Sequence, residues 1–350
     1  MPFRCCLAVV LLALSTLPAL AEDKKRGLEI VWVDTDGGAA TLIVTPAGES
    51  ILIDCGNPGN RDSGRIYKAA VKAGLKRIDH LLITHWHSDH YGGAGPLAKL
   101  IPIGKFYDRG IPETFPEDKT GFPVLIRAYK AAGGDKSTTL KAGDKIALKQ
   151  VAGAPKVELL CVCASGEPIS APAGAKDNPL PKDYKAHPND PSDNAKSLAF
   201  VLSFGGWRFF DAGDLTWNVE AKLVSPQNRI GKVDVYQVTH HGLEISNNPV
   251  LIRTLDPRVA VCNNGPRKGG HPSVIATLRR LPDMQGLFQL HRNLRSEDSE
   301  NTSPDKIAND GRRESGTNIR LVVEPDAKAY SVTVERTGKT FRYETRGGRP

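Results

Sequence analysis

His85-Trp86-His87-Ser88-Asp89-His90 packs three imidazoles and a carboxylate into six residues of a chain that has nine histidines in all. A run H-x-H-x-D-H of that density asks for a fold that gathers those side chains at one point. Imidazole and carboxylate together are ligands for zinc, manganese or iron. Just before it, Ile78-Asp79-His80-Leu81-Leu82-Ile83 is rich in branched apolar residues and reads as a buried strand. The run therefore lies in the loop leaving a strand, where a rigid sheet can hold ligands in place. Gly92-Gly93 follows it and suits a loop that closes tightly. These residues predict a metal site.

Further motifs sit at strand ends on either side. Leu52-Ile53-Asp54-Cys55-Gly56 lies upstream, and Gly213-Asp214 and then Thr239-His240-His241-Gly242 lie downstream. In this order they resemble the motifs of the metallo-β-lactamase-fold hydrolases, and the resemblance spans residues 28 to 290. It implies an α/β fold, a four-layer αββα sandwich of two mixed sheets with helices outside. It also implies a ligand set. His85 and His87 would bind one metal, Asp89 and His90 the second, with Asp214 between them and His240 completing the second site. Zinc is the expected cofactor, as one or two ions, with manganese or iron as alternatives. Two ions about 3.5–4 Å apart can generate the attacking hydroxide from water, so no Ser or Cys nucleophile is needed.

One ligand departs from the family pattern. A third histidine for the first metal usually falls between the H-x-H-x-D-H loop and the bridging aspartate. The only histidine in that interval is His187, in a Pro-rich loop, whereas Asn194 stands at the approach to the next strand. Here the chain resembles the branch that includes the hydrolase-like domain of bacterial DNA-uptake channels, and Asn194 is the expected ligand. The same branch is indicated by Asn263-Asn264-Gly265 followed by Arg267-Lys268-Gly269-Gly270-His271-Pro272 at a strand-to-helix loop. His271, with Lys268 as a second candidate, is expected to hold a phosphate or the leaving group; a solvated basic turn is the competing reading. Asp89 and His271 are thus the catalytic candidates. Asp54 is expected to orient the loop by hydrogen bonds, His241 to support its neighbour, and His80 to be a surface or packing residue.

The N-terminus reads as an address. Arg4 precedes an apolar run from Cys6 to Leu17 that is short for a membrane span, and Ala19-Leu20-Ala21 offers small residues for a signal peptidase. Residues 1–21 are a predicted signal peptide, cleaved to leave a periplasmic or secreted bacterial protein; an uncleaved anchor is the rival reading. No membrane span is expected after cleavage. Cys55, Cys161, Cys163 and Cys262 remain, and a chain this large can build its core without disulfides. Cys161 and Cys163 are expected to share one face of a strand and to act as small hydrophobes. The net charge of +8 is spread along the chain, with no dense basic run carrying aromatics, so no dedicated nucleic-acid surface is expected.

Strand and helix patterns alternate from Leu28 to His291, giving a hydrolase domain over 22–292. Residues 166–193 are rich in Pro, Ala, Asp and Asn and predict a long surface loop, either passive or covering the active site. Asn293 to Gly316 is nearly devoid of apolar residues and predicts a mobile linker. Three alternating segments after it predict a small C-terminal β-meander appendage over 317–350. The leading expectation is an exported metal-dependent hydrolase acting on a phosphoester or phosphodiester. Hydrolysis of a lactone, β-lactam or thioester uses the same chemistry and is the alternative within enzymes. A non-catalytic metal-binding module is the alternative outside them. A small-molecule or phosphoester substrate is the only partner indicated, and oligomeric state is left open.

Overall fold

A computed structural model describes residue 1 and residues 26–311 and 316–347; the predicted signal peptide falls almost wholly outside the described residues. In chain order the first half gives β1 (Leu28–Trp32), β2 (Thr41–Val44), β3 (Ser50–Ile53), α1 (Asn60–Lys72), β4 (Ile78–Leu82), α2 (Ser88–Tyr91) and α3 (Ala94–Ala98). It continues with β5 (Ile103–Asp108), α4 (Phe122–Ala131), β6 (Thr138–Thr139), β7 (Lys145–Ile146), β8 (Val157–Ala164) and β9 (Glu167–Pro168). The second half gives β10 (Ala199–Phe204), β11 (Trp207–Asp211), α5 (Trp217–Val224), β12 (Val235–Gln237), α6 (Pro249–Leu255), β13 (Val259–Cys262), α7 (Pro272–Arg279) and β14 (Gly286–His291). The chain ends with β15 (Ile307–Asn309), β16 (Ile319–Val323), β17 (Ala329–Val334) and β18 (Lys339–Glu344).

The strands form two sheets. The first runs β18-β17-β16-β1-β2-β3-β4-β5-β6, and the second runs β15-β14-β13-β12-β11-β10-β8-β7 with β9 beside β8. Each is antiparallel at one side and parallel at the other: β3 to β6 in the first, β11 to β15 in the second. Three apolar clusters show how they stack. One joins both sheets face to face, from Trp32, Ile43 and Ile53 on one side to Phe200, Phe209, Val261 and Phe288 on the other. A second packs the outer face of the second sheet under α5, α6 and α7. The third packs the first sheet under α1, α3 and α4. Three buried interfaces make four layers, the expected αββα sandwich. A polar bridge across the middle is satisfied: Gln237 Oε1 accepts from Trp32 Nε1 at 2.8 Å and from Thr41 Oγ1 at 2.6 Å.

Several expectations change. The C-terminal meander is no appendage, because β16 pairs antiparallel with β1 along its whole length and continues the first sheet. The stretch after Asn293 is no linker over its described part. β15 adds in parallel to β14, and Asn293, Asn301, Thr302 and Asn309 are buried and paired. Asn301 Oδ1 accepts from Asn293 N, Thr302 Oγ1 donates to Leu287 O, and Asn309 Nδ2 donates to Leu290 O. Side-chain hydrogen bonds stand in for the missing apolar residues, which an apolar count does not register. Cys161 and Cys163 do not share a face. The register of β8 against β10 slips between them, so Cys161 joins the central core and Cys163 the outer one. All four described cysteines are buried and free.

The 166–193 loop lies along the outer helices rather than over the ligands. Asn178 Nδ2 donates to Val224 O and Thr254 Oγ1, and the His187 ring stacks on Trp217 at 4.0 Å between centroids. His80 is buried between Glu49 Oε1 and the Tyr107 hydroxyl, so it is a packing residue and not a surface one. No helix among the described residues is long and apolar enough to cross a membrane.

Glu220 on α5 is fully buried, and its Oε2 accepts from Asn248 N at 2.7 Å while Oε1 has no partner. Burial pushes its carboxyl up to about 7. A folded pKa above the unfolded one stabilises the protonated form, so that contribution is complete below about 4.5 and is lost as pH rises through about 7. Glu220→Gln should remove this slope. Thermal unfolding of both proteins from pH 5 to 8 is expected to favour Gln increasingly, by about 1–3 kcal/mol at the alkaline end; parallel curves would refute the assignment.

Candidate metal centre

The ligand-bearing loops leave the C-terminal ends of parallel strands, the edge where open α/β sheets place their ligands. β4 delivers His85, His87, Asp89 and His90; β11 delivers Asp214; β12 delivers His240 and His241; β13 delivers Lys268. The first loop is anchored by Asp54, just beyond β3. Its carboxylate accepts from Thr84 N and Thr84 Oγ1, both at 2.8 Å, and holds His90 Nδ1 at 2.7 Å. That contact turns His90 Nε2 inward and settles the ring orientation, as a carboxylate behind a metal-binding histidine does. Asp54 has φ +59°, and the loop beyond α2 fits only because two residues lack Cβ. A Cβ on Gly93 would come within 2.0 Å of Cys55 O, and one on Gly92 within 2.3 Å of Ser88 O.

Asp214 is the hub. Its Oδ2 lies 3.2 Å from His90 Nε2, 3.3 Å from His240 Nε2, 3.4 Å from His241 Nε2 and 3.9 Å from His85 Nε2. His240 is aimed there because its Nδ1 meets Ser246 Oγ at 3.1 Å. Both His240 and His241 have φ above +50°, strained for side chains of this kind and typical of functional sites. Asp89 Oδ2 lies 3.6 Å from His90 Nε2, 3.4 Å from His241 Nε2 and 2.5 Å from Lys268 Nζ. His85 Nε2 lies 3.0 Å from His87 Nδ1, and His87 Nε2 is held by Glu117 Oε2 at 2.8 Å. Glu117 also accepts from Asp193 N, and Asp193 accepts from Trp86 N and pairs with Arg109. Among the described residues, two sets of ligand atoms are close enough to hold an ion: His85, His90 and Asp214, and Asp89, His90 and His241.

Charge follows geometry. Burial disfavours the anion of Asp214, yet His240, His90 and His241 hold its carboxyl well below the usual range. Burial likewise disfavours the cation of His90, but Asp214, Asp54 and Asp89 raise it well above 6.5. An ion binding through His90 Nε2 therefore displaces a proton. Burial lowers His85 well below its ordinary value and His240 to about 4, leaving both neutral and ready to donate a lone pair.

The donor set fits a transition-metal ion. His90 Nε2 and both ring nitrogens of His241 are buried without a well-formed hydrogen bond. Orphaned buried donors and acceptors around two carboxylates are the arrangement a divalent cation satisfies. The structure gathers His85, His90, Asp89, Asp214 and His240 as the sequence led one to expect. It places His87 against His85 and Asn194 in a buried turn beside Asp193. His241 moves from a supporting role into the ligand shell. Its strand-end position next to His240 was visible, but the left-handed backbone that turns both rings inward was not. Glu117, thirty residues from His87 on a single 3-10 turn, carried no sequence signal. His271 is not brought to the ligands: its ring caps α7 through Ser273 and is partly exposed near Glu244. His291 Nε2 bonds Asp34 Oδ1 at 2.6 Å and stays outside the ligand shell.

Asp54→Ala should weaken metal binding by about 10–100-fold without removing a ligand. Titration of stripped protein with zinc against a chelator checks this, and an unchanged affinity would sink the orienting role. Asn194→Ala should also lower zinc content or affinity, whereas His187→Ala, which removes a ring stacked on Trp217, should leave both intact. The reverse pattern would move the missing ligand to the long loop.

Comparison with known proteins agrees with this geometry. Residues 33–147 match the metallo-beta-lactamase superfamily. A UPF0173 metal-dependent hydrolase of Anaeromyxobacter sp. (strain K) is 30% identical over 229 residues, covering 63% of this chain and 66% of that protein. ComE operon protein 3 of Bacillus subtilis (strain 168) is 26% identical over 198 residues, 57% of this chain and 21% of that protein. The match thus spans less than two thirds of the length of either relative. Among solved structures, the metallo-beta-lactamase fold protein YhfI from Bacillus subtilis superposes with a TM-score of 0.42 at 13% identity, covering 75% of this chain and 95% of that one. With its H-x-H-x-D-H loop, Asp214 and αββα layers in place, the chain carries a metallo-beta-lactamase superfamily domain.

Proposed function

We propose that this chain is a metal-dependent hydrolase whose substrate is a phosphoester, with a phosphodiester as the preferred class. The observation that carries hydrolysis is the Asp214 carboxylate oxygen ringed by four imidazole nitrogens at 3.2 to 3.9 Å in a buried pocket. A divalent ion held there by His85, His90 and Asp214 would lower the pKa of water toward neutrality and polarise the bond to be cleaved. The chain's own groups do the rest. Asp54 and Ser246 keep the rings of His90 and His240 pointed inward. Asp89, held well below the usual carboxylate range against burial by His90, His241 and Lys268, can accept the hydrogen bond that orients the attacking water.

Support for an anionic substrate comes from the 265–270 loop. It carries Lys268 to the edge of the centre, so one cationic side chain lies where a phosphoryl oxygen would approach. No comparable cation is needed to bind a neutral lactone or lactam.

Zinc-loaded protein should hydrolyse a chromogenic phosphodiester, and chelation should abolish the activity. Asp214→Asn should cut turnover by at least ~100-fold, since it removes the charge that holds four imidazoles together. The same preparation is assayed on a phosphomonoester, a lactone, a thioester and a β-lactam. Turnover confined to the last three would overturn the phosphoester reading. Tightly bound metal with no turnover on any of them would overturn hydrolysis in favour of a binding module.

A further inference from the structure

Lys268 touches the centre in an unusual way for a lysine on a strand-to-helix loop. Its Nζ sits 2.5 Å from Asp89 Oδ2, the oxygen that also lies 3.4 Å from His241 Nε2. The backbone that puts it there is closely fitted. Lys268 O accepts from Gly265 N, and Gly270 N donates to His241 O at 2.8 Å. A Cβ on Gly269 would lie 1.9 Å from His241 O, and one on Gly37 would lie 3.3 Å from Lys268 Cβ. Asn293 Nδ2 then braces the carbonyls of Gly269 and Gly270 from behind. A solvated surface lysine needs none of this. The glycines let the loop press onto His241, and the lysine follows to Asp89.

The two ligand sets are also unequal. Both use His90, and Nε2 of one imidazole has a single lone pair to give. Once His90 joins His85 and Asp214, the other subsite keeps Asp89 and His241, and the ammonium already stands on Asp89. Lys268 remains 40% exposed along its side chain, so it can swing into water when displaced. A divalent ion and an ammonium cannot share one carboxylate oxygen at contact distance without strong repulsion.

We infer that Lys268 is a tethered cation occupying the second metal subsite, so that this chain binds one divalent ion tightly and a second only by displacing the lysine from Asp89. The inference rests on the metal-centre reading and deepens it. With one ion in place, the ammonium supplies the second positive charge of the centre, facing the anionic oxygen of the substrate from the Asp89 side. The chain would then work as a one-metal centre with a built-in partner charge.

The test is metal binding, independent of turnover. Metal-free wild type, Lys268→Met, Lys268→Gln and Asp89→Asn are titrated with Zn²⁺ against a chromophoric chelator, and with Co²⁺ while following its visible absorption. Far-UV circular dichroism checks the fold of each. Wild type should take one tight equivalent and a second at least ~10-fold weaker. Both Lys268 variants should tighten the second equivalent by at least ~10-fold and leave the first within about twofold, because the competing charge is gone. Asp89→Asn should lose the second equivalent alone. Two equally tight equivalents in wild type, or a second affinity unmoved in both Lys268 variants, would overturn the inference while leaving the metal centre standing. No tight equivalent in any protein would instead overturn the centre itself. Should Lys268→Met fail to fold, Lys268→Gln keeps a polar tip at the exposed end and decides the question alone.

Discussion

A carboxylate oxygen ringed by imidazoles and cut off from water is costly unless every neighbour is aimed at it. Removing Asp214 from water penalises its charge by several kcal/mol or more, and only well-placed partners offset that. Here three of the four rings are held from behind: His85 by Thr84, His90 by Asp54 and His240 by Ser246. Much else follows from that requirement. Asp54, His240 and His241 adopt left-handed backbone that ordinary loops avoid, and a four-layer body supplies the packing that keeps them there.

The two sheets divide this work. The first sheet contributes the H-x-H-x-D-H loop and its Asp54 anchor, and the second contributes Asp214, His240, His241 and Lys268. Neither sheet alone completes a ligand set, since each of the two sets takes residues from both. The central apolar layer is therefore functional as well as stabilising. A shift of about 1 Å between the sheets would change the distances on which the centre depends. Contacts such as Leu198 N to Thr84 O, 2.9 Å across the join beside the ligand loop, hold the two edges in register.

The cationic loop adds an asymmetry to an arrangement often pictured as symmetric. Lys268 neutralises Asp89 from the solvent side, whereas Asp214 is neutralised from within by imidazoles. The two carboxylates thus differ in how readily each can be given to an ion. That difference stems from glycines at 265, 269 and 270, which carry no chemistry of their own and act by letting backbone approach backbone.

Much of the centre was legible in the chain itself. His85, His87, Asp89 and His90 crowd into one loop, and the strand before them is a local pattern of branched residues, so neighbours in sequence were bound to be neighbours in space. Asp54, Asp214 and His240 were legible through their order at strand ends, and the αββα layering through the alternation of strand and helix. What needed the folded chain was everything set by long-range pairing. The β16 to β18 segment joins β1 nearly 300 residues away, the polar stretch after Asn293 is ordered by side chains that meet only in the fold, and the β8 bulge parts Cys161 from Cys163. Glu117, the contact of Lys268 with Asp89 and the inward turn of His241 belong to the same class. Composition and spacing decide which side chains can bind a metal; which oxygen or nitrogen finally faces another depends on backbone torsions and sheet register, and those are settled only when both sheets close on one core.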